Sequence, residues 1–305
     1  MSRKTKRIIA RVSGVILLTV LALFIDQYQS TPDNKTSKEV INLADIIEVH
    51  FIDVGQGDAI LIETGDAAML IDAGENNKGT IVVDYLQAQN ITKLDYVIGT
   101  HPHSDHIGGL DTIFNTFLVD KVILPAVTHT TKTFEDVLDV IEENNLKITK
   151  AVVGDQYFLG SAIFTVVAPN SSAYEEMNNY SVGIQLTYGD STFLLVGDAE
   201  KLSEDEIIES GIDLTADVLK LSHHGSAYSS SDEFLDAVKP TYAVISAGKD
   251  NEYGHPHEQT LQAILDRGIK LYRTDIQGTI VFTSDGKTIS VNTGDYKIME
   301  NDLKH

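Results

Sequence analysis

Four side chains that are able to bind metal ions lie within six residues of this sequence. They are His101, His103, Asp105 and His106, and they follow an apolar run that is typical of a short buried strand. Side chains alternate in extended backbone, and Pro102 favours an extended conformation at His101. His101 and His103 are therefore expected to face one cation. Asp105 and His106 can turn towards a second, so two adjacent metal sites are predicted.

Two later apolar runs also end in side chains that could bind metal. Asp198 follows residues 193–197, and a carboxylate at that position can bridge two cations. Its alternative role is to cap the helix that follows. His223 and His224 come after another buried run and precede a glycine, which leaves room at a metal centre. Neighbouring side chains point to opposite sides of an extended chain, so one of these two histidines is predicted to be a ligand.

The composition restricts the metal sites that this chain can form. None of its 305 residues is Cys or Trp, which excludes disulfides and thiolate zinc sites and leaves nitrogen and oxygen ligands. Residues 1–30 contain five of the 23 Lys and Arg and one of the 45 Asp and Glu, so the remainder has 18 basic and 44 acidic side chains, a net charge of −26. The electric field of a domain with this negative charge repels a polyanion at long range. Broad nucleic-acid binding is therefore disfavoured unless a basic patch or the metal ions offset it.

The N-terminus has the order of a targeting segment. Five basic residues precede and flank an apolar run that ends at Ile25, and we predict that residues 1–26 are a signal peptide or a signal anchor. Cleavage and retention both fit the sequence, and a retained segment would attach the protein to a membrane. Residues 27–40 are polar and predict a linker, residues 41–293 a globular domain and residues 294–305 a tail.

Strand and helix patterns alternate within the predicted domain. Three strand patterns, at residues 46–52, 59–63 and 67–71, open it, and helix and strand patterns then alternate. Strand patterns return after residue 148, and the second half repeats the alternation. This order predicts two sheets with helices outside them, an αββα four-layer sandwich of the α/β class.

Several of these segments resemble one family. The spacing of His101, His103, Asp105 and His106 is similar to the H-x-H-x-D-H signature of the metallo-β-lactamase fold superfamily. Other segments resemble, in the same order, the metallo-β-lactamase-like domain of ComEC-type competence proteins; they are residues 51–59, 70–74, 195–199, 222–226 and 253–256. The similarity spans nearly all of residues 41–293, which the resemblance identifies as a metallo-β-lactamase-like hydrolase domain.

The resemblance implies roles for the site residues. In this family the aspartate at the position of Asp198 bridges two ions, and the histidine directly before a glycine, here His224, is a ligand. Asp72 matches an aspartate that accepts a hydrogen bond from a ligand histidine and fixes its tautomer, although a turn-forming aspartate is the alternative. His255 is expected to protonate a leaving group or to bind a phosphoryl oxygen. The implied metal ligands are His101, His103, Asp105, His106, Asp198 and His224. The implied catalytic residues are Asp105 and His255. Those implied to support the ligands or contact substrate are Asp72, His223, Asn178, Asn179 and Ser226.

One ligand that is common in the superfamily is missing. Many members carry a third histidine for the first metal upstream of the bridging aspartate, but residues 176–182 contain none. Asn178 and Asn179 lie there instead, so the first site is expected to be completed by an Asn oxygen or by water, or to be weakly occupied. His129, between the two histidine motifs, is interpreted as a surface residue. No role is assigned to three polar residues of a glycine-rich loop, Asp53, Gln56 and Asp58.

Two adjacent cations would give this site hydrolytic chemistry. Ions about 3.5 to 4 Å apart would lower the pKa of a shared water towards neutrality and stabilise charge on the attacked centre. Zinc is expected from the ligand types, with manganese as the alternative. The resemblance implies a phosphodiester substrate, either DNA or a small ester, and therefore a metal-dependent hydrolase that acts as a phosphodiesterase or nuclease.

Two other functions stay open. One is a hydrolase of phosphorylcholine esters or of other non-DNA esters or amides, and the other is a non-catalytic metal-binding module of the cell surface. With the predicted signal or anchor, the protein is expected to be extracellular or anchored on the outer face of a bacterial cell.

Overall fold

The computed structural model describes residues 46–303 of the chain, and within this range strands and helices form four layers. The strands are β1 (Ile47–Phe51), β2 (Ile60–Thr64), β3 (Ala67–Ile71), β4 (Lys93–Ile98), β5 (Leu118–Leu124), β6 (Ile148–Lys150), β7 (Gln156–Leu159), β8 (Ala162–Ala168), β9 (Gly183–Tyr188), β10 (Ser191–Leu195), β11 (Val218–Lys220), β12 (Tyr242–Ile245), β13 (Lys270–Arg273), β14 (Ile280–Ser284) and β15 (Ile289–Val291). The helices are α1 (Gly79–Ala88), α2 (Ser104–Ile107), α3 (Leu110–Thr116), α4 (Lys132–Glu143), α5 (Lys201–Glu209), α6 (Asp232–Val238), α7 (Glu258–Asp266) and α8 (Thr274–Gln277), with 3₁₀ turns at Met177–Tyr180, Ser222–Gly225 and Glu300–Leu303.

The strands form two mixed sheets. The first has the order β15-β14-β1-β2-β3-β4-β5-β6, and the second has the order β13-β12-β11-β10-β9-β8-β7. Strands β3 to β6 are parallel to one another, as are β10 to β13, and the other pairs are antiparallel. The hairpin between β2 and β3 has a two-residue loop in which Gly65 takes a positive φ of 59°, a conformation that glycine adopts without strain.

Apolar side chains fill three interfaces between the four layers. Alternate residues of the strands meet between the two sheets, where Phe51, Phe164 and Phe282 are fully buried. The other face of the first sheet packs on α1, α3 and α4, and the other face of the second packs on α5, α6 and α7. The αββα sandwich predicted from the order of patterns is confirmed.

Two short strands were missed in the sequence. In β6 and β7 most side chains are exposed or partly exposed, so neither carries the apolar run or clean alternation that identifies a half-buried strand. They lie at one edge of each sheet, where hydrogen bonding to a single neighbour keeps them in place. Tertiary pairing, and not local pattern, forms these strands.

The chain ends differ in what the structure describes. The predicted signal or anchor (1–26) and the linker (27–40) lie outside the described residues. Within residues 46–303, no helix is both long and apolar enough to cross a membrane. The part of the predicted tail that is described packs on the domain, because Tyr296 pairs with Leu271 and Leu303 packs on the outer core of the second sheet.

The layers bring the candidate site residues to one edge of the sandwich. Asp72 and His101 follow β3 and β4 of the first sheet, and Asp198 and His224 follow β10 and β11 of the second. All four strands belong to the parallel parts of their sheets, so their carboxyl ends point the same way within each sheet. Loops at that end can therefore converge on a ligand, as they do in other α/β folds.

Phe164 offers a test of the inter-sheet core. Its ring packs between Tyr96 and Tyr157, with centroids 5.0 and 5.1 Å away, and the side chain is fully buried. Phe164→Ala is expected to lower the free energy of unfolding by about 3–5 kcal/mol, because a large cavity would remain. Urea unfolding measures this. Phe158→Ala on the neighbouring strand β7 is the control, since that ring is 69% exposed. Equal losses of unfolding free energy in the two variants would contradict the packing described.

Candidate metal centre

Four of the predicted ligands converge at the edge of the sandwich. Potential ligand atoms of Asp105, His106, Asp198 and His224 all lie within 4.8 Å of one another. Nε2 of His106 lies 3.0 Å from Oδ2 of Asp198, and Nε2 of His224 lies 3.4 Å from the same oxygen. Asp105 is the most exposed of the four, with 24% of its side chain accessible, and it opens onto a cleft.

Asp72 contacts His106 on the side of the ring opposite Asp198 and so orients it. Its Oδ2 lies 2.8 Å from Nδ1 of His106, and the carboxylate also accepts hydrogen bonds from the backbone N–H and the hydroxyl of Thr100. With Nδ1 facing Asp72, Nε2 is the nitrogen that faces Asp198. This is the contact that the resemblance implies for Asp72, and such a contact fixes the tautomer and ring direction of a ligand histidine.

His223 and His224 are separated by an unusual turn. The sequence predicts extended backbone here, but both residues adopt left-handed conformations, with φ of 48° and 56°. His224 is buried, and its Nδ1 lies 2.8 Å from the carbonyl oxygen of Ser246, so its Nε2 faces the carboxylates. His223 is partly exposed, and its Nδ1 lies 3.4 Å from Glu200. The two side chains do diverge, but a turn and not a strand separates them.

The first predicted site contains a contacting pair of imidazoles. Nε2 of His101 lies 3.0 Å from Nδ1 of His103, so these two nitrogens face each other as the alternation in extended backbone predicts. On its other side, Nδ1 of His101 lies 3.1 Å from Thr100 Oγ1 and 3.3 Å from Ser181 Oγ. Neither histidine belongs to the group of four ligand residues around Asp198.

The asparagines predicted to complete the first site have different surroundings. Asn178 lines the cleft, and its Nδ2 donates to Glu200 at 2.9 Å. Its Oδ1 is buried and has no hydrogen-bond partner among residues 46–303, so this oxygen is free to bind a cation. Asn179 instead accepts hydrogen bonds from the backbone N–H groups of Glu200 and Ser203 at the start of α5.

Ser226 also lies away from the cleft. It is buried, its Oγ accepts a hydrogen bond from the N–H of Tyr228, and its carbonyl accepts one from Thr260. The structure therefore gives Ser226 contacts that shape the loop after His224.

A cleft of about 400 Å³ opens over the centre. His255 lies on one side of it, with its ring 6.1 Å from that of His224 and 5.4 Å from that of His223. His129 lies beside His103, with the two rings 6.3 Å apart, so the residue interpreted as surface lines the candidate site. Other residues that line the cleft are Gln56, Ser104, Asp105, Thr131, Thr133, Asn178, Asp198 and Tyr253.

Lys220 is a site residue that the sequence analysis missed. It lies in the otherwise apolar strand β11 and is fully buried, with Nζ 2.6 Å from Oδ2 of Asp58 and 3.8 Å from Oδ1 of Asp198. Asp58, which received no role, lies 3.8 Å from Nδ1 of His106 and 3.6 Å from Nδ1 of His224. A charged residue within a buried strand was the available signal, because an unpaired charge there is costly.

Gly57 brings the Asp58 loop against the metal motif. Its φ is 112°, and a Cβ at this position would lie 2.0 Å from the carbonyl oxygen of Asp105. The N–H of Asp58 donates to the same carbonyl at 3.1 Å. Only glycine permits this close approach, which places Asp58 next to the candidate ligands His106 and His224.

Protonation differs between the two groups of ligands. Burial alone would raise the pKa of Asp198, but His106 and His224 hold it well below its usual range. Burial lowers the pKa of His224, yet Asp198 and Asp105 raise it to about 9. Burial, followed by the nearby His106, lowers the pKa of His101. Without metal, His224 therefore carries a proton at neutral pH, whereas His101 is neutral.

The donor set around Asp198 fits a divalent cation. Nε2 of His224 is buried and has no hydrogen-bond partner among the described residues, because the carboxylates of Asp105 and Asp198 lie nearby without hydrogen-bond geometry. Two imidazoles and two carboxylates offer the nitrogen and oxygen donors that zinc and manganese bind. Asp105, His106, Asp198 and His224 would hold one ion there. His101 and His103 present two donors for another.

The pKa of His224 predicts how pH affects the metal-free protein. The folded state holds a proton on His224 up to about pH 9, whereas an unfolded imidazole loses it near pH 6.5. The folded state thus binds more protons between these values, and stability falls as pH rises through this window, by on the order of 3 kcal/mol. Urea unfolding in EDTA at pH 6.5 and 9 measures this. A saturating divalent metal should remove the decline, and equal stability at both pH values in EDTA would contradict the assignment.

The buried ion pair of Lys220 gives a second prediction. Lys220→Met leaves Asp58 buried without its cation and is expected to lower the free energy of unfolding by about 3–5 kcal/mol. Lys220→Met combined with Asp58→Asn removes both charges and should recover part of that loss. Urea unfolding in EDTA measures both. A double variant that is less stable than Lys220→Met would show that the two side chains are not coupled as an ion pair.

Comparison with known proteins agrees with this geometry. The family description "Metallo-beta-lactamase superfamily" matches residues 52–249. ComE operon protein 3 of Bacillus subtilis (strain 168) is 32% identical over 253 residues, which are 77% of this chain and 33% of that protein. Competence protein ComA of Neisseria gonorrhoeae is 30% identical, over 75% of this chain and 31% of that protein. The chain thus spans about a third of these relatives.

Solved structures share the fold at low identity. The metallo-beta-lactamase fold protein YhfI from Bacillus subtilis superposes with a TM-score of 0.55 at 13% identity, covering 78% of this chain and all of that one. CmlA, a diiron beta-hydroxylase from Streptomyces venezuelae, gives 0.52 at 14% identity, covering 78% of this chain and 54% of that one. The resemblance noted in the sequence is confirmed: the chain belongs to the metallo-beta-lactamase superfamily, and its relatives include bacterial competence proteins.

Proposed function

We propose that this protein is a metal-dependent phosphodiesterase that uses two divalent ions in the cleft. The observation that carries the proposal is the convergence of Asp105, His106, Asp198 and His224 within 4.8 Å, beside the contacting pair His101 and His103. Ions held there would supply Lewis acidity and a nucleophilic water at neutral pH. The superfamily consists generally of metal-dependent hydrolases, and the competence-protein relatives support a phosphodiester as the bond attacked.

Asp105 is suited to orient the attacking water. Its carboxylate is the most exposed of the four candidate ligands around Asp198, and His106 and His224 keep its pKa well below its usual range against the effect of burial. It is therefore ionised at neutral pH and can accept a hydrogen bond from the nucleophile. Asp198, deeper in the site and beside both His106 and His224, is suited to hold the ions together.

His255 is suited to bind a phosphoryl oxygen. Burial, followed by His224 and His223, lowers its pKa to about 4, so the imidazole is neutral at pH 7. A neutral imidazole donates one N–H, but it has no additional proton to give to a leaving group. Asn251 fixes the backbone of His255 at both its N–H and its carbonyl, which holds the ring over the cleft. Of the two roles predicted for His255, its neutral imidazole and fixed position favour binding of a phosphoryl oxygen over protonation of a leaving group.

The cleft favours a single phosphodiester over a long duplex. Among the described residues that line it, none is Lys or Arg, and the chain after residue 30 has a net charge of −26. Duplex binding depends on many Lys and Arg contacts to phosphates. The phosphate charge here would be offset by the ions, and the neutral imidazole of His255 would donate a hydrogen bond to a phosphoryl oxygen. We infer that the substrate presents one accessible phosphodiester, such as a small diester or a strand end.

An activity screen tests this function. The purified full chain, loaded with Zn²⁺ or with Mn²⁺, would be assayed on bis-p-nitrophenyl phosphate, single-stranded and duplex DNA, a phosphorylcholine ester and a β-lactam. Metal-dependent release of nitrophenol is expected, with DNA cleaved from ends if it is cleaved at all. Turnover of the β-lactam alone would contradict the phosphodiester assignment, whereas turnover of the phosphorylcholine ester, itself a phosphodiester, would identify a small ester as the substrate. Absence of any metal-dependent turnover would favour the binding-module alternative.

Substitutions connect that activity to the cleft. Asp198→Asn and His103→Ala should each lower kcat/KM on bis-p-nitrophenyl phosphate by at least about 100-fold, because each removes a ligand donor. Asp139→Asn on the exposed side of α4 is the matched control and should retain the wild-type rate. Circular dichroism would show that the variants remain folded. Wild-type rates in Asp198→Asn or His103→Ala would refute the site.

The cellular location is a separate proposal. If residues 1–26 act as a signal or anchor, the domain would work outside the cell or on its outer face, where phosphodiesters of the envelope and environmental DNA are accessible. Fractionation of cells that produce the full chain, with protease treatment of intact cells, tests this. Protection from protease in intact cells would overturn it.

A further inference from the structure

A second group of potential metal ligands lies on the first sheet, apart from the residues that line the cleft. Glu48 and His50 alternate on β1, so both side chains leave the same face of the sheet. Glu63 lies on β2 directly opposite Glu48 in the antiparallel register. One ligand atom from each residue falls within 4.8 Å of the others. Two strands thus present one nitrogen and two oxygen donors to a common point.

Glu48 and Glu63 place two carboxylates opposite each other on neighbouring strands. Like charges directly opposite each other on neighbouring strands destabilise a sheet. Glu48 is partly compensated, because Thr283 on β14 donates a hydrogen bond to its Oε1 at 2.9 Å. A neutral hydroxyl does not cancel the repulsion between Glu48 and Glu63, whereas a divalent cation between them would.

His50 is oriented as a ligand histidine would be. Its side chain is 2% exposed, and its Nδ1 lies 2.8 Å from the hydroxyl oxygen of Tyr85 on α1. Its Nε2 is buried and lies 3.0 Å from Oε1 of Glu63, but the geometry does not make a hydrogen bond. When Nδ1–H donates to Tyr85, the lone pair of Nε2 faces the carboxylates. A partner that binds the far nitrogen in this way is typical of metal-binding histidines.

Tyr85 holds the far nitrogen of His50 from α1. Its hydroxyl oxygen lies 2.8 Å from Nδ1, and a phenol oxygen can accept the Nδ1–H of an imidazole. The hydrogen bond joins α1 to the sheet beneath it.

We propose that Glu48, His50 and Glu63 bind a divalent metal ion that has a structural role. One imidazole and two carboxylates suit Zn²⁺, with water as a fourth ligand, and the two carboxylates balance its charge. The ion joins β1 to β2, while Thr283 extends the contacts to β14 and Tyr85 extends them to α1. It stabilises the strand that leads into the loop carrying Asp58. The proposal is independent of the reaction at the cleft.

Metal stoichiometry tests this site. The wild-type full chain, Glu63→Gln, Glu48→Gln and the control Glu143→Gln would be saturated with Zn²⁺, passed through a desalting column and analysed by inductively coupled plasma mass spectrometry. Glu143 is an exposed glutamate at the end of α4. Each of the first two variants should retain one Zn²⁺ per chain fewer than the wild type, and the control should match the wild type. All three variants should keep the wild-type turnover of bis-p-nitrophenyl phosphate, if the wild type shows any.

Two outcomes would overturn the site. Equal zinc content in all four proteins would mean that His50 and Glu63 contact each other without binding a metal ion. Glu48→Gln decides the question if Glu63→Gln does not fold. In the wild type itself, the ¹⁵N signals of the His50 imidazole should shift at saturating Zn²⁺, and signals that stay in place would overturn the proposal without any substitution.

Discussion

The candidate metal centre depends on the buried ion pair between Lys220 and Asp58. Lys220 belongs to the second sheet, and Asp58 lies on a loop that follows the first strand of the first sheet, so the pair joins the two sheets beneath the ligands. Lys220 also lies near Asp198, and Asp58 lies near His106 and His224. Both charges are fully removed from water, and such a pair persists only when its geometry satisfies both partners.

This pair accounts for the charge balance of the centre. Four carboxylates, those of Asp58, Asp72, Asp105 and Asp198, gather around His106 and His224. The ammonium group of Lys220 offsets one of them. Protons on His106 and His224, whose pKa values the surrounding carboxylates raise against burial, offset two more in the metal-free protein. Metal ions would replace these protons, so the centre is arranged to receive positive charge in either form.

The candidate metal centre in the cleft and the inferred structural site at Glu48, His50 and Glu63 are built from different features of the same fold. The cleft collects side chains from loops that follow parallel strands of both sheets, so its ligands are far apart in sequence. The inferred structural site uses the face of a single antiparallel pair, where strand register alone brings Glu48 and Glu63 together. Loops at strand ends can change without disturbing the sheets, which suits a reactive site. A site on the sheet face is fixed by the ladder, which suits a structural one.

The order of residues along the chain was enough to predict the layers and to single out most of the candidate ligands, because both depend on local pattern. Apolar periodicity marks the strands, and the ends of those strands carry Asp72, His101, Asp198 and His224.

Periodicity could not identify β6 and β7, whose side chains are mostly exposed. It could not show which carboxylate pairs with Lys220, because Asp58 is 162 positions away in the chain. The left-handed turn at His223 and the position of His129 beside His103 were likewise decided by tertiary structure. Contacts across two sheets depend on how the layers pack, and no local pattern records them.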